Sequence, residues 1–133
     1  MLRYVIPLVP ISKKNSQRIA RRKDGKPFIR PSEAYCRYEE TAVWYLKPRP
    51  TKPICEPMNV QCVFYMPTHR LCDKSNLEEA AHDVLVLAGI LADDNRDIIA
   101  TTDGSIVLYD KENPRTEITI TPLKGYEQWR KPK

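Results

Sequence analysis

The stretch from Met58 to Asp94, MNVQCVFYMPTHRLCDKSNLEEAAHDVLVLAGILADD, decides the fold. Met58, Val60, Cys62, Phe64 and Met66 alternate with Asn59, Gln61, Val63 and Tyr65, and a period of two marks a β-strand. Its second face is mixed, which predicts partial burial there too. After Pro67 and a short loop, Leu77, Ala80, Ala81, Val84, Leu85 and Ala88 recur at helical spacing. They predict an amphipathic helix over about 75–88, closed by Gly89 as a left-handed terminal residue. Asp73 stands at the mouth of this helix and Asp93-Asp94 just past its end. A helix that returns the chain toward the sheet is expected to bring both ends into one cleft. Carboxylates gathered that way bind a hard divalent cation such as Mg²⁺.

Plainer readings stand beside that one. Asp73 or Ser75 can simply cap the helix, and Asp93-Asp94-Asn95 is ordinary turn chemistry. Ser75, Asn76, Glu79 and Asp83 fall on the polar face, opposite the core stripe. Glu79 lies one turn from Ser75 and leans back toward Asp73. It either adds a carboxylate to the same cation or is a solvated residue that favours the helix dipole; both readings stay open. Glu78 is read as solvated. Val86 and Leu87 lie off the stripe, which suits a helix-mediated dimer or a helix covered on both sides by its own chain. His69, beside Arg70, is expected at a phosphate and His82 at the surface. The two histidines are not at metal-ligand spacing.

Working outward, Leu2 to Val9 reads as an opening strand closed by Pro10. Asp24-Gly25 sits between Arg18-Ile19-Ala20-Arg21 and Pro27-Phe28-Ile29-Arg30, a pattern that fits a basic hairpin or a loop. Ser32 is placed to cap a helix running to about Leu46, with Tyr35, Tyr38, Ala42 and Tyr45 on one face. Pro48, Pro50 and Pro53 forbid its continuation. Ile98 to Tyr109 reads as one or two strands, with Asp103-Gly104 a turn or a bulge. Asn113-Pro114 marks a turn and Thr116 to Thr121 a final strand. The sum is an α+β fold of two layers, a small mixed β-sheet with two main helices. The expected organisation is one domain over 1–121, with a basic arm at 10–31. A loose basic tail over 122–133 offers Tyr126 and Trp129 for docking.

Lys and Arg number 22 against 17 Asp and Glu, a net charge of +5. The excess is concentrated in Lys13, Lys14, Arg18, Arg21, Arg22, Lys23, Lys26 and Arg30, with Asp24 the one acid among them. Clustered cations suit a polyanionic backbone, whose neutralisation releases counterions; a solvated arm is the plain alternative. No apolar run reaches the roughly 18 residues of a membrane span, and the N-terminus does not read as a signal peptide. Cys36, Cys55, Cys62 and Cys72 form no CxxC pair. They are expected as reduced, half-buried apolar residues in a cytoplasmic protein.

Several motifs taken together resemble the RusA family of Holliday junction resolvases. They are Pro10-Ile11-Ser12-Lys13-Lys14-Asn15-Ser16, Tyr65-Met66-Pro67 before a basic loop, Asp73-x-x-Asn76-Leu77, Asp83-x-Leu85, and Gly89-Ile90-Leu91-x-Asp93-Asp94. The resemblance spans about 1–121 with element order kept. It implies an intertwined homodimer that uses Mg²⁺, with Mn²⁺ an acceptable substitute, to cut four-way DNA junctions by paired nicks in recombination and repair. It implies no small-molecule cofactor and no membrane partner, and an origin in a phage or prophage is common in the family. Asp73 and Asp94 carry over as catalytic carboxylates, with Asp93 as a neighbouring ligand. Lys13, Lys14, Asn15, Arg18, Arg21, Arg22, His69, Arg70 and Lys74 are the candidate DNA contacts. Ser75, Asn76 and Asp83 are the candidate supports.

Two departures mark this chain. The family pattern Asp-x-Asp-Asn becomes Asp73-Lys74-Ser75-Asn76, so a carboxylate is missing at Ser75. Glu79 stands where the family often has a functional lysine. The changes can compensate, Glu79 supplying the carboxylate and Lys74 the charge. A rival takes Ser75 at face value and reads a branched-DNA-binding protein that does not cut. A basic RNA-binding protein is a third reading, weakened because no aromatic platform interleaves with the basic arm.

Overall fold

The computed structural model describes residues 1–12 and 17–125, and over 17–21 and 28–31 the backbone alone. Strand β1 (Leu2–Ile6) is followed by the hairpin β2 (Gln17–Arg21) and β3 (Pro27–Pro31), then helix α1 (Glu33–Tyr45). Strand β4 (Met58–Met66) leads into helix α2 (Lys74–Leu87), and β5 (Ile99–Thr101), β6 (Ile106–Tyr109) and β7 (Arg115–Pro122) complete the chain's described part. The main sheet has five strands in the order β1-β7-β4-β5, with β6 also on β4. β7 is antiparallel to both β1 and β4, whereas β5 and β6 run parallel to β4. The predicted mixed sheet and two-helix layer are therefore present.

Burial follows the two periodicities. Met58, Val60, Cys62 and Phe64 of β4 are buried, as are Leu77, Ala80, Ala81, Val84, Leu85 and Ala88 of α2. All of these but Ala80 meet Ile6, Ala42, Leu46, Ile118 and Ile120 in one core. The other face of β4 has its own task. Asn59 Oδ1 accepts from Thr101 Oγ1 at 2.5 Å and from the Asp103 N–H at 2.7 Å. Gln61 Nε2 donates to the Gly104 carbonyl at 3.2 Å, and Ser105 Oγ accepts from the Cys62 N–H at 3.0 Å. The polar alternate residues thus fasten the β5–β6 connection to the centre of the sheet.

Helix ends are closed by side chains. Ser32 caps α1 by accepting from the Tyr35 N–H at 3.1 Å. At the far end Arg49 donates to the carbonyls of Leu46 and Val43 at 2.9 and 2.8 Å, satisfying acceptors the prolines leave open. Gly89, with φ of 77°, turns the chain out of α2, so that the N–H groups of Ile90 and Leu91 both reach the Leu85 carbonyl.

Several expectations need correction. The first strand ends at Ile6, because Pro7 follows and cannot donate to a ladder. Of the two readings open for Ile98 to Tyr109, the structure has the two strands, separated by a turn at Asp103-Gly104. Tyr45 is 36% exposed while Leu46 is fully buried, so the last turn of α1 swings its face by one residue. Val86 packs against the core and only Leu87 is left outward, at 59% exposure. All four cysteines are free, but Cys55 and Cys72 are exposed and Cys36 is half-buried. Cys62 is fully buried, and burial first, then Glu78, pushes its thiol up to about 12. The predicted docking groups Tyr126 and Trp129 lie outside the described residues.

Two outcomes test this frame. Gly104 has φ of 86°, and a Cβ there sits 2.7 Å from Gln61 Nε2. Gly104→Ala is expected to cost about 1–2 kcal/mol in urea unfolding; an unchanged midpoint contradicts the account of the β5–β6 turn. Arg115 pairs with Asp110 at 2.9 Å and Glu117 at 2.8 Å. Its hydrogen bond holds the Asp110 carboxyl below the ordinary 3.8. The stabilisation is present above that value and lost as pH falls through the lowered folded value. The stability difference between wild type and Asp110→Asn should therefore close at acid pH, and a gap that widens there overturns the pairing.

Candidate active site

The loop leaving β4 delivers Asp73 to the N-terminus of α2, where backbone N–H groups lack helical partners. Asp73 is the N-cap, and its Oδ1 accepts from the Ser75 N–H at 3.1 Å and from Ser75 Oγ at 2.7 Å. The capping reading holds, and the capping carboxylate stays exposed. Ser75 does more than lack a carboxylate: its hydroxyl fixes the rotation of the Asp73 side chain.

The next turn is a charge pair. Lys74 Nζ lies 3.2 Å from Glu78 Oε1, and the Glu78 side chain is only 15% exposed. Glu78 is therefore not the solvated residue expected. It is largely covered and paired with Lys74. Glu79 is exposed and Asn76 half-buried. Asp83 is half-buried and faces α1, where its charge helps raise the Tyr35 phenol after burial and Glu39.

At the far end of α2, Asp93 is consumed by its own loop. Its Oδ1 accepts from the Asp94 N–H at 2.7 Å and its Oδ2 from Asn95 Nδ2 at 3.3 Å. Asn95 in turn accepts from the Asp97 N–H at 3.0 Å. Asp94 is exposed, and its side chain makes no hydrogen bond among the described residues. The loop presents one carboxylate and uses the other to hold its shape.

His82 corrects a second expectation. Its Nε2 is buried without a hydrogen-bond partner among the described residues. Burial lowers its pKa, against the pull of Glu78, Asp94 and Glu79. A surface position was expected because periodicity shows which helix face is polar, not what folds over it.

The two ends of α2 are not in one cleft. Lys74 shares a pocket with Met66 and Tyr109, at the end of β4. Leu91 bridges Ile54, and the Met58 N–H reaches the Ile98 carbonyl at 2.8 Å, so residues 93–97 lie at the start of β4. Fourteen helical residues separate them, about 21 Å at 1.5 Å per residue. Among the described residues no three His, Cys, Asp or Glu side chains stand close enough to hold an ion together. Asp73, Glu79, Asp93 and Asp94 are thus a divided set within one chain.

The basic residues are only partly in view. Lys13, Lys14 and Asn15 lie outside the described residues, and Arg18 and Arg21 are placed by backbone on β2. Arg22 is exposed at the hairpin turn, where its carbonyl accepts from the Gly25 N–H at 2.9 Å. Arg70 is exposed in the loop before α2, and Leu71 beside it is 98% exposed. His69 is not simply a phosphate contact, because its ring stacks on Tyr109 at 3.8 Å between centroids. Sequence reading missed Tyr109: forty residues separate the partners, and Tyr109 ends a strand with no motif around it.

No helix among the described residues is long and apolar enough to cross a membrane. No individually curated protein matches the chain. The model of the family described as Endodeoxyribonuclease RusA matches residues 7–121 of the 133. A basic arm, an aspartate-capped helix and a second aspartate beyond it thus belong to a chain of the RusA family, nucleases that hydrolyse DNA and resolve Holliday junctions.

Proposed function

We propose that this protein cuts four-way DNA junctions with paired nicks as a Mg²⁺-dependent homodimer, in recombination and repair. The carrying observation is the divided acid set: Asp73 oriented by Ser75 at one end of α2, and Asp94 unclaimed by hydrogen bonds at the other. The donors are hard carboxylate oxygens, the chemistry Mg²⁺ takes, and Mn²⁺ substitutes. Within one chain they do not fit the ion as a group. A two-fold axis perpendicular to α2 reverses the helix, so pairing α2 with a second copy of itself about such an axis brings Asp73 of one chain toward Asp94 of the other. A C2 dimer also matches a substrate with near two-fold symmetry and sets one site on each of two strands.

An ion held between the two chains would supply charge stabilisation at the phosphate under attack. The chain's own residues do the rest. Ser75 holds the Asp73 carboxylate in one rotamer, and Asp93 holds the loop that carries Asp94. Glu79, exposed on the polar face, stands in for the carboxylate absent at Ser75. Arg70, Lys74 and the basic arm, Lys13, Lys14, Arg18, Arg21 and Arg22 included, position phosphates without reading sequence. The expected setting is cytoplasmic.

The test incubates labelled four-way junction and linear duplex with and without Mg²⁺ at stated salt. Paired nicks should appear on the junction alone and only with the ion. Asp73→Asn and Asp94→Asn should each lower cleavage about a hundredfold or more, the scale of losing one stabilising group at a transition state. Junction affinity should hold. Co-expressing the two variants is the sharper step, since mixed dimers then keep one intact site and nick one strand. No recovery would place both acids of a site in the same chain. Glu79→Gln should abolish cleavage and spare binding; full activity removes Glu79 from the site. Tight junction binding with no nicks under any ion leaves the non-cutting DNA-binding protein as the correct reading.

A further inference from the structure

A cleft of about 510 Å³ opens between the loop Pro67–Asp73 and strand β6. Met66 and Leu108 supply apolar wall, Arg70 and Lys74 supply charge, and His69 and Tyr109 form one end. The two rings are stacked, 3.8 Å between centroids and 25° from parallel. Tyr109 is 45% exposed, so the stack fills no core. Strand β6 bonds to β4 on one side, and among the described residues the sheet order places no strand beyond it. An aromatic pair held open at a sheet edge pays ordering entropy without completing its burial.

The chemistry of the lining selects its occupant. Small-molecule sites fall at roughly 300–1,000 Å³, and this cleft lies within that range. A flat π-surface with cations beside it takes a nucleobase on the ring and its phosphate on the charge. An apolar side chain from a protein partner leaves Arg70 facing nothing, and a phosphate alone leaves the ring pair unused. We propose that this cleft is a nucleobase subsite, in which one base unstacked at the branch point of a junction extends the His69–Tyr109 stack while Arg70 holds its phosphate. This rests on the reading of the chain as a junction nuclease. Cys72 and Lys74 both line the cleft and flank Asp73, so a base held here fixes the backbone beside that carboxylate. The same subsite discriminates between substrates. A base leaves a continuous duplex only at the cost of unpairing, and that cost is least where pairing is already broken.

The experiment places 2-aminopurine at the branch point of a four-way junction, or in mid-arm as control, and titrates the full chain in Ca²⁺ to hold cleavage off. Binding should change the fluorescence of the branch-point probe and leave the arm probe flat. Tyr109→Leu should abolish the change and weaken junction binding at least about fivefold, the low end for one lost base stack. Linear duplex binding should stay as in wild type, and Tyr109→Phe should behave as wild type. His69→Leu, on a loop outside the core, should likewise abolish the branch-point fluorescence change and serves if Tyr109→Leu does not fold. Equal weakening on junction and duplex, or no weakening on either, overturns the subsite. A wild-type protein that binds and nicks junctions with a flat branch-point signal overturns the subsite alone. A wild type that binds no junction overturns the nuclease reading with it.

Discussion

The packing of α2 along the apolar face of β4 is the constraint on which the rest of this structure depends. Met58, Val60, Cys62 and Phe64 must be covered, and the stripe Leu77, Ala81, Val84 and Leu85 covers them. The Met, Val, Phe and Leu side chains among them each contribute about 1.5–3 kcal/mol when fully buried. Surface carboxylates contribute tenths to about one, so the acids cannot choose where the helix lies. The helix runs back along β4, the chain re-enters the sheet parallel to that strand, and the two acidic ends are driven apart. The division of the acid set is a consequence of core packing, and any metal chemistry has to be built around it.

Local hydrogen bonding then sharpens what the core leaves at each end. At the start of α2, Asp73 caps the helix, worth about 0.5–2 kcal/mol at such a position, and Ser75 returns a second hydrogen bond to the same oxygen. A carboxylate at 75 would stand beside Asp73 with like charge, and each would raise the other's pKa. A serine removes that repulsion and fixes one rotamer. At the far end the loop spends Asp93 on its own backbone and leaves Asp94 presented. The doublet is therefore two residues with different work.

The elements that were legible in the sequence are those whose signal is local. The period of β4, the stripe of α2, the caps Ser32 and Asp73, the hairpin around Asp24-Gly25 and the turn at Gly89 are each written within a few residues. What was not legible is pairing across the chain. Nothing in Ile99–Thr101 or Ile106–Tyr109 says that both lie parallel to β4, because alternation is blind to the identity of the neighbour. Glu78 and His82 were misplaced for the same reason, since a helical wheel gives a face and not its cover. The stack of His69 on Tyr109 joins a loop to a strand through the fold alone. At the candidate site, the separation of Asp73 from Asp94 could not be read.

Separation has a physical merit on the proposed reading. Carboxylates crowded in one chain repel at all times, and the folded monomer carries that cost before substrate or cation is present. Acids held at opposite ends of a 14-residue helix carry almost none of it. The cost arises only when a second copy brings the ends together, and there a cation and the phosphates of the junction are at hand to offset it. Such an arrangement keeps a basic, DNA-seeking monomer from assembling a cutting centre by itself. It also ties the two cutting centres to one symmetry axis, since neither forms without the pairing that forms the other. The Lys74–Glu78 pair fits this logic: on the proposed reading it screens the N-terminus of α2 in the free chain, and its lysine would turn toward DNA at the cost of one partly exposed ion pair. Pairs of that kind contribute about 1 kcal/mol or less, so a phosphate can displace Glu78 without disturbing the core beneath.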